Sequence, residues 1–129
     1  MSETVYLGSC HCGKVRFQVT GEINRVSRCN CSICTKKGTL HWRVAAERFT
    51  LLSGEESLTL YQSGTSIAKH FFCRFCGVHP FSRPRIAPDM YSINVRCLDN
   101  VDIEQPTWEE IHFDGKNWEQ AANELMRSK

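Results

Sequence analysis

Seven of the eight cysteines fall in three tight clusters: Cys10-His11-Cys12, Cys29-Asn30-Cys31-Ser32-Ile33-Cys34 and Cys73-Arg74-Phe75-Cys76. Thiols this close in sequence serve as disulfides or as ligands for a soft cation. A Cys-x-Cys disulfide is badly strained. The opening residues Met1-Ser2-Glu3-Thr4-Val5-Tyr6 carry no basic stretch followed by an apolar run, so the expected compartment is the reducing cytoplasm, where cysteine pairs more often bind metal. Zinc is the expected cofactor, at two sites. Seven sulfurs divide into one complete four-thiolate site and one site a ligand short, and a zinc ion with three protein ligands keeps a position open for chemistry.

A Cys-x-x-Cys turn sets two sulfurs about 3.5 to 4 Å apart, the edge of a sulfur tetrahedron around zinc with bonds near 2.3 Å. Cys73 and Cys76 fit this, and Gly77 suits the tight turn. Their two further ligands are either Cys10 with Cys12 or members of the central cluster; spacing leaves both open. Whichever pair it is, a closed four-cysteine site is a structural staple, and metal loss should unfold a chain this small. Cys29, Cys31 and Cys34 converge on one ion only if the backbone curls around it. A coordinated thiol is deprotonated, so an open site there presents a sulfur nucleophile at neutral pH to an electrophilic carbon such as an aldehyde. The competing arrangement makes Cys97 a fourth ligand and closes the second site. Against it, Tyr91, Ile93, Val95 and Cys97 share one face of an expected strand, which places Cys97 on the apolar side.

Other residues carry weaker signals. His11 and His79 read as neighbours of ligands, bonded to backbone, rather than as ligands. Arg28, Lys36, Lys37, Arg83 and Arg85 are candidates to gather substrate carboxylates, against the alternative of a solvated surface. His41, His70 and His112 fall in no pattern. Asp114 and Trp118 are expected to cap and anchor a helix rather than touch substrate.

These residues need a scaffold. The 129 residues, 41% of them hydrophobic, suit one zinc-binding domain over 1–129, without repeats, linkers or a run long enough to span a bilayer. The formal charge of +2 counts neutral thiols; seven thiolates add −7 and two zinc ions +4, leaving about −1. Nucleic acid is therefore not an expected partner, nor is a membrane. Residues 14–21 alternate polar and apolar with period two, and short strands are expected at Leu40–Val44, Phe49–Leu52, Leu58–Tyr61, Ala68–Phe72 and Tyr91–Cys97. Trp118, Ala121, Ala122, Leu125 and Met126 recur at helical spacing behind Asp114. The expected fold class is mainly β, with folded-over antiparallel sheets and one short C-terminal helix.

Five blocks in order resemble the glutathione-dependent formaldehyde-activating enzyme family, which also includes centromere protein V. They are Gly8 to Gly13, Cys29 to Cys34, Phe72 to Gly77, Ile93 to Asp99 and Phe113 to Trp118. The resemblance implies that Cys10, Cys12, Cys73 and Cys76 hold a structural zinc, and that Cys29, Cys31 and Cys34 hold a second, exchangeable one. It implies a zinc-stapled fold and a carbon–sulfur lyase whose partners are a small thiol such as glutathione and an electrophilic carbon substrate, with S-hydroxymethylglutathione formed or broken at the second site. The alternative is a non-catalytic protein-binding module shaped by the same zinc ions. A nucleic-acid-binding zinc ribbon fits least, because it needs two matching knuckles and a basic face.

Overall fold

The computed structural model describes residues 3–64 and 66–127. The period-two segment becomes strand β2 (Arg16–Thr20), flanked by β1 (Val5–Ser9) and β5 (Phe49–Ser53) in a three-stranded antiparallel sheet. Val15, Phe17 and Val19 are wholly buried while Arg16 and Gln18 turn to the other face, as a pleated strand requires. A second sheet is built from β3 (Arg25–Cys29), β4 (His41–Val44), β6 (Leu58–Tyr61), β7 (Lys69–Cys73), β8 (Phe81–Arg83), β9 (Tyr91–Asn94) and β10 (Glu109–Phe113). Its order is β10-β3-β4-β9-β8-β7-β6. Every pairing in it is antiparallel except β10 on β3, which run parallel from Glu109 opposite Arg25 to Phe113 opposite Cys29.

The sheets fold over each other through aromatic rings. Phe17 and Phe49 from the small sheet meet Phe81 of the large one at centroid distances of 6.0 and 4.8 Å, Phe49 stacks on Tyr91 at 4.2 Å, and Tyr6 meets Trp42 edge-on at 5.5 Å. Such pairs contribute about 0.5–1.5 kcal/mol each beyond the area they bury.

Two helices complete the described residues: α1 (Ser32–Lys37) and α2 (Trp118–Arg127). Neither is long and apolar enough to cross a membrane. The C-terminal helix is the one expected, but Asp114 does not cap it. A 3-10 turn over Gly115–Asn117 intervenes, and the Asp114 carboxylate instead accepts the side-chain amides of Asn30 at 3.0 Å and Asn117 at 2.9 Å. The strand expected over Tyr91–Cys97 stops at Asn94, and Val95–Cys97 form a 3-10 turn whose Arg96 N–H donates to the Asn94 side chain at 3.2 Å. Asparagine bonding its own neighbouring backbone competes with ladder pairing and ends the strand.

Candidate metal centre

The first thiol cluster joins the two sheets. Cys10 and Cys12 lie in the turn from β1 to β2, Cys73 ends β7, and Cys76 follows it across the turn closed by Gly77, whose φ is 77°. The four sulfurs lie within 4.8 Å of one another, with Cys10 to Cys12 at 3.6 Å and Cys12 to Cys73 at 3.7 Å. A zinc tetrathiolate with 2.3 Å bonds has edges of about 3.75 Å. The N–H groups of Val15 and Phe75 point at the sulfurs of Cys10 and Cys73, each at 3.4 Å. Spacing left the partners of Cys73 and Cys76 open; the fold sets Cys10 and Cys12 beside them, and the four together can hold a metal ion.

The second cluster is built by a short helix. Cys29 ends β3, Cys31 immediately precedes α1, and Cys34 lies within it. That single curl brings the three sulfurs within 4.8 Å of one another. A hydrogen bond from the Cys34 thiol draws Cys29 down to about 6, while Cys34, which keeps that proton, is pushed up with burial adding to the effect. The parallel pairing then lays residues 113–117 over the trio. Gly115 is the close approach: a Cβ there would sit 2.4 Å from Cys29 Sγ and 2.8 Å from Cys31 Cβ. Asn30 fastens this loop, accepting from Lys116 N at 3.1 Å while donating to Asp114. Asp114 is held below the usual carboxylate range by the Asn117 and Asn30 amides. Among the described residues no further Cys, His, Asp or Glu completes the trio. Cys97 lies elsewhere, 3.6 Å from the His79 carbonyl, its thiol pushed up to about 12 by burial.

Behind the trio lies a buried polar network. His41, the first residue of β4, sets Nε2 at 3.3 Å from Cys34 Sγ and Nδ1 at 2.7 Å from Ser92 Oγ. Lys37, at the end of α1, extends Nζ to His70 Nδ1 at 2.9 Å and His79 Nε2 at 3.1 Å. His79 Nδ1–H donates to the Phe71 carbonyl at 2.6 Å, which leaves Nε2 free to accept from Lys37. Burial pulls His41 and His70 down to about 4 and His79 to about 3, with the Lys37 charge adding to each, and burial also lowers Lys37.

The cations expected to gather carboxylates are mostly committed. Lys37 points into this network. Arg28 pairs with Glu110; Arg83 lies over the Tyr91 ring and donates to its hydroxyl at 2.7 Å; Arg85 lies over Trp118 and pairs with Glu119 at 2.6 Å. Lys36 is exposed. His11 is exposed as well, and His79 is backbone-bonded as expected. Beside the trio opens a cavity of about 400 Å³ whose wall includes Cys29, Cys34, Arg28, Arg96 and Asp114. Arg96 and His41 carried no sequence signal, since their partners lie far away in the chain.

A sequence model of the glutathione-dependent formaldehyde-activating enzymes matches residues 5–114, which hold both clusters and the loop up to Asp114. The chain belongs to that family. A Halomonas elongata member, named provisionally for glutathione-dependent formaldehyde activation, is 34% identical over 97 residues, 58% of this chain and 62% of that protein. The chain thus spans about three fifths of that relative's length. A crystal structure of a Rhodobacter sphaeroides protein superimposes with a TM-score of 0.74 at 35% identity, covering 81% of this chain and 98% of the other. The solved neighbour shares the β scaffold, and in this chain the matched residues 5–114 hold both sets of thiols.

Proposed function

We propose that this protein is a zinc-dependent carbon–sulfur lyase acting on a small thiol adduct of the S-hydroxymethylglutathione kind. The observation that carries the reading is a trio of thiols that no further Cys, His, Asp or Glu completes among the described residues, opening on a cavity of about 400 Å³. In this reading Cys10, Cys12, Cys73 and Cys76 hold a structural zinc, and Cys29, Cys31 and Cys34 hold the reactive one. A zinc ion held by Cys29, Cys31 and Cys34 would supply Lewis acidity, lowering the pKa of a substrate thiol.

The chain's own residues supply the rest. Cys29, already drawn down to about 6, needs little further help to lose its proton. His41 holds Cys34: a ligand thiolate can only accept, so Nε2–H donates to sulfur and Nδ1 accepts from the Ser92 hydroxyl. The loop from Asp114 to Asn117, pinned by Asn30, covers one side of the trio and leaves the cavity as the approach. In the forward direction the thiol sulfur bonds to the formaldehyde carbon, the carbonyl π pair moves to oxygen, and the proton lost by the thiol ends on that oxygen. Lyase action is the reverse.

The test is exchange spectroscopy on glutathione and formaldehyde near equilibrium. Wild type is expected to accelerate exchange between free and glutathione-bound carbon, and Cys31→Ser to return it to the uncatalysed rate. Equal rates for wild type, variant and buffer would exclude formaldehyde as substrate.

A further inference from the structure

We infer that Arg96 is the specificity-determining residue of the cavity, reading a carboxylate on the thiol compound that enters it. The identity of the ligand as a thiol rests on the lyase reading above; the carboxylate rests on the charges in the cavity wall. Arg28, Arg96, His112 and Asp114 are the ionisable side chains in the cavity wall besides the cysteines. The Arg28 guanidinium is neutralised by Glu110, and the Asp114 carboxylate is taken by Asn30 and Asn117. Arg96 is exposed and has no acidic partner among the described residues. Its Nε donates to the Gly38 carbonyl at 3.1 Å, while the two terminal nitrogens have no partner among the described residues.

That single anchor places the fork beside the helix that carries Cys34. Gly38 is the residue at which α1 ends, and its N–H in turn bonds the Cys34 carbonyl at 3.0 Å. Arg96 is therefore tied to the backbone of the helix that carries a thiol of the trio, and its free edge borders the same cavity as Cys29 and Cys34. A guanidinium with Nε engaged still offers the parallel N–H pair that matches a carboxylate. Just inside, Thr39 is only 4% exposed and its hydroxyl has no partner among the described residues, so this part of the wall is underfilled with polar contacts. A volume of about 400 Å³ lies within the range of small-molecule sites. The ligand class that fits is a thiol bearing at least one carboxylate, such as glutathione, over uncharged thiols of similar size.

The test measures dissociation constants of glutathione and of its diethyl ester, which keeps the thiol and loses both carboxylates, on the zinc-loaded full chain by calorimetry. Wild type, Arg96→Gln and Arg96→Lys are compared, each after its two-zinc content is checked. Wild type is expected to prefer glutathione roughly tenfold or more, as removal of a charged hydrogen-bond partner implies. Arg96→Gln should reduce that preference to about twofold without changing ester affinity, and Arg96→Lys should fall between, since it keeps the charge and loses the fork. A preference unchanged in Arg96→Gln, or equal weakening of both compounds, would overturn the inference while leaving the lyase reading intact. If neither compound binds wild type, both fall together.

Discussion

At the scale of single residues, Gly115 shows how little room the second thiol cluster has. A methyl group there would collide with Cys29 Sγ at 2.4 Å and with the Cys31 side chain, so Gly115→Ala is expected to lower metal content from two ions to one per chain while the fold remains. Elemental analysis beside circular dichroism checks both halves; two ions retained would mean that the loop can yield. His41→Phe removes the N–H aimed at Cys34 and should weaken metal binding at the trio by about 10–100-fold. His41→Gln, which keeps a donor, should recover part of the loss in a chelator competition. The cysteines were legible from sequence because a ligand pair closes over two to five residues. Spacing alone could not choose the partners of Cys73 and Cys76, and the family blocks pointed to the pair that the fold places there. His41, Lys37 and Arg96 were not legible, because their partners Ser92, His70 and Gly38 are 51, 33 and 58 positions away.

At the scale of elements, β2 and the C-terminal helix announced themselves by period, and β4, β5, β6 and β7 as short stretches between turn signals. Strands β1, β3, β8 and β10 did not. β3 offers one fully buried apolar side chain, Val26, and β8 is three residues long. β10 gains its place through a parallel pairing that no local turn signals. The histidines behind α1 give this part of the fold a pH dependence. His41, His70 and His79 bind protons near pH 4, 4 and 3 in the fold, against 6.5 ordinarily. As pH falls below 6.5 the unfolded chain takes up protons first, so the stability from keeping these rings neutral is complete above that pH and is lost progressively toward pH 3. His79→Gln should flatten the acid limb of urea midpoint against pH. An unchanged slope would show that His79 does not contribute to it.

At the scale of the whole molecule, the four-thiol cluster ties β1 of the small sheet to β7 of the large one, beside the aromatic core. Metal binding by such sites contributes roughly 10–16 kcal/mol in small zinc peptides, comparable to the whole stability of an ordinary domain. Stripping metal from this cluster is expected to unfold the chain cooperatively, whereas Cys31→Ser, which disables only the trio, should leave the thermal transition in place. Phe17→Ala, which empties the centre between the sheets, should cost about 3–5 kcal/mol in urea unfolding. The proposed chemistry depends on the trio holding a metal ion that a thiol can still reach. Cobalt placed at the second site and titrated with glutathione tests this most directly. The sulfur-to-cobalt absorption is expected to grow and shift as a fourth thiolate joins, saturating at one glutathione per chain, with no such change in Cys31→Ser. A wild-type cobalt spectrum that glutathione leaves unaltered would contradict it.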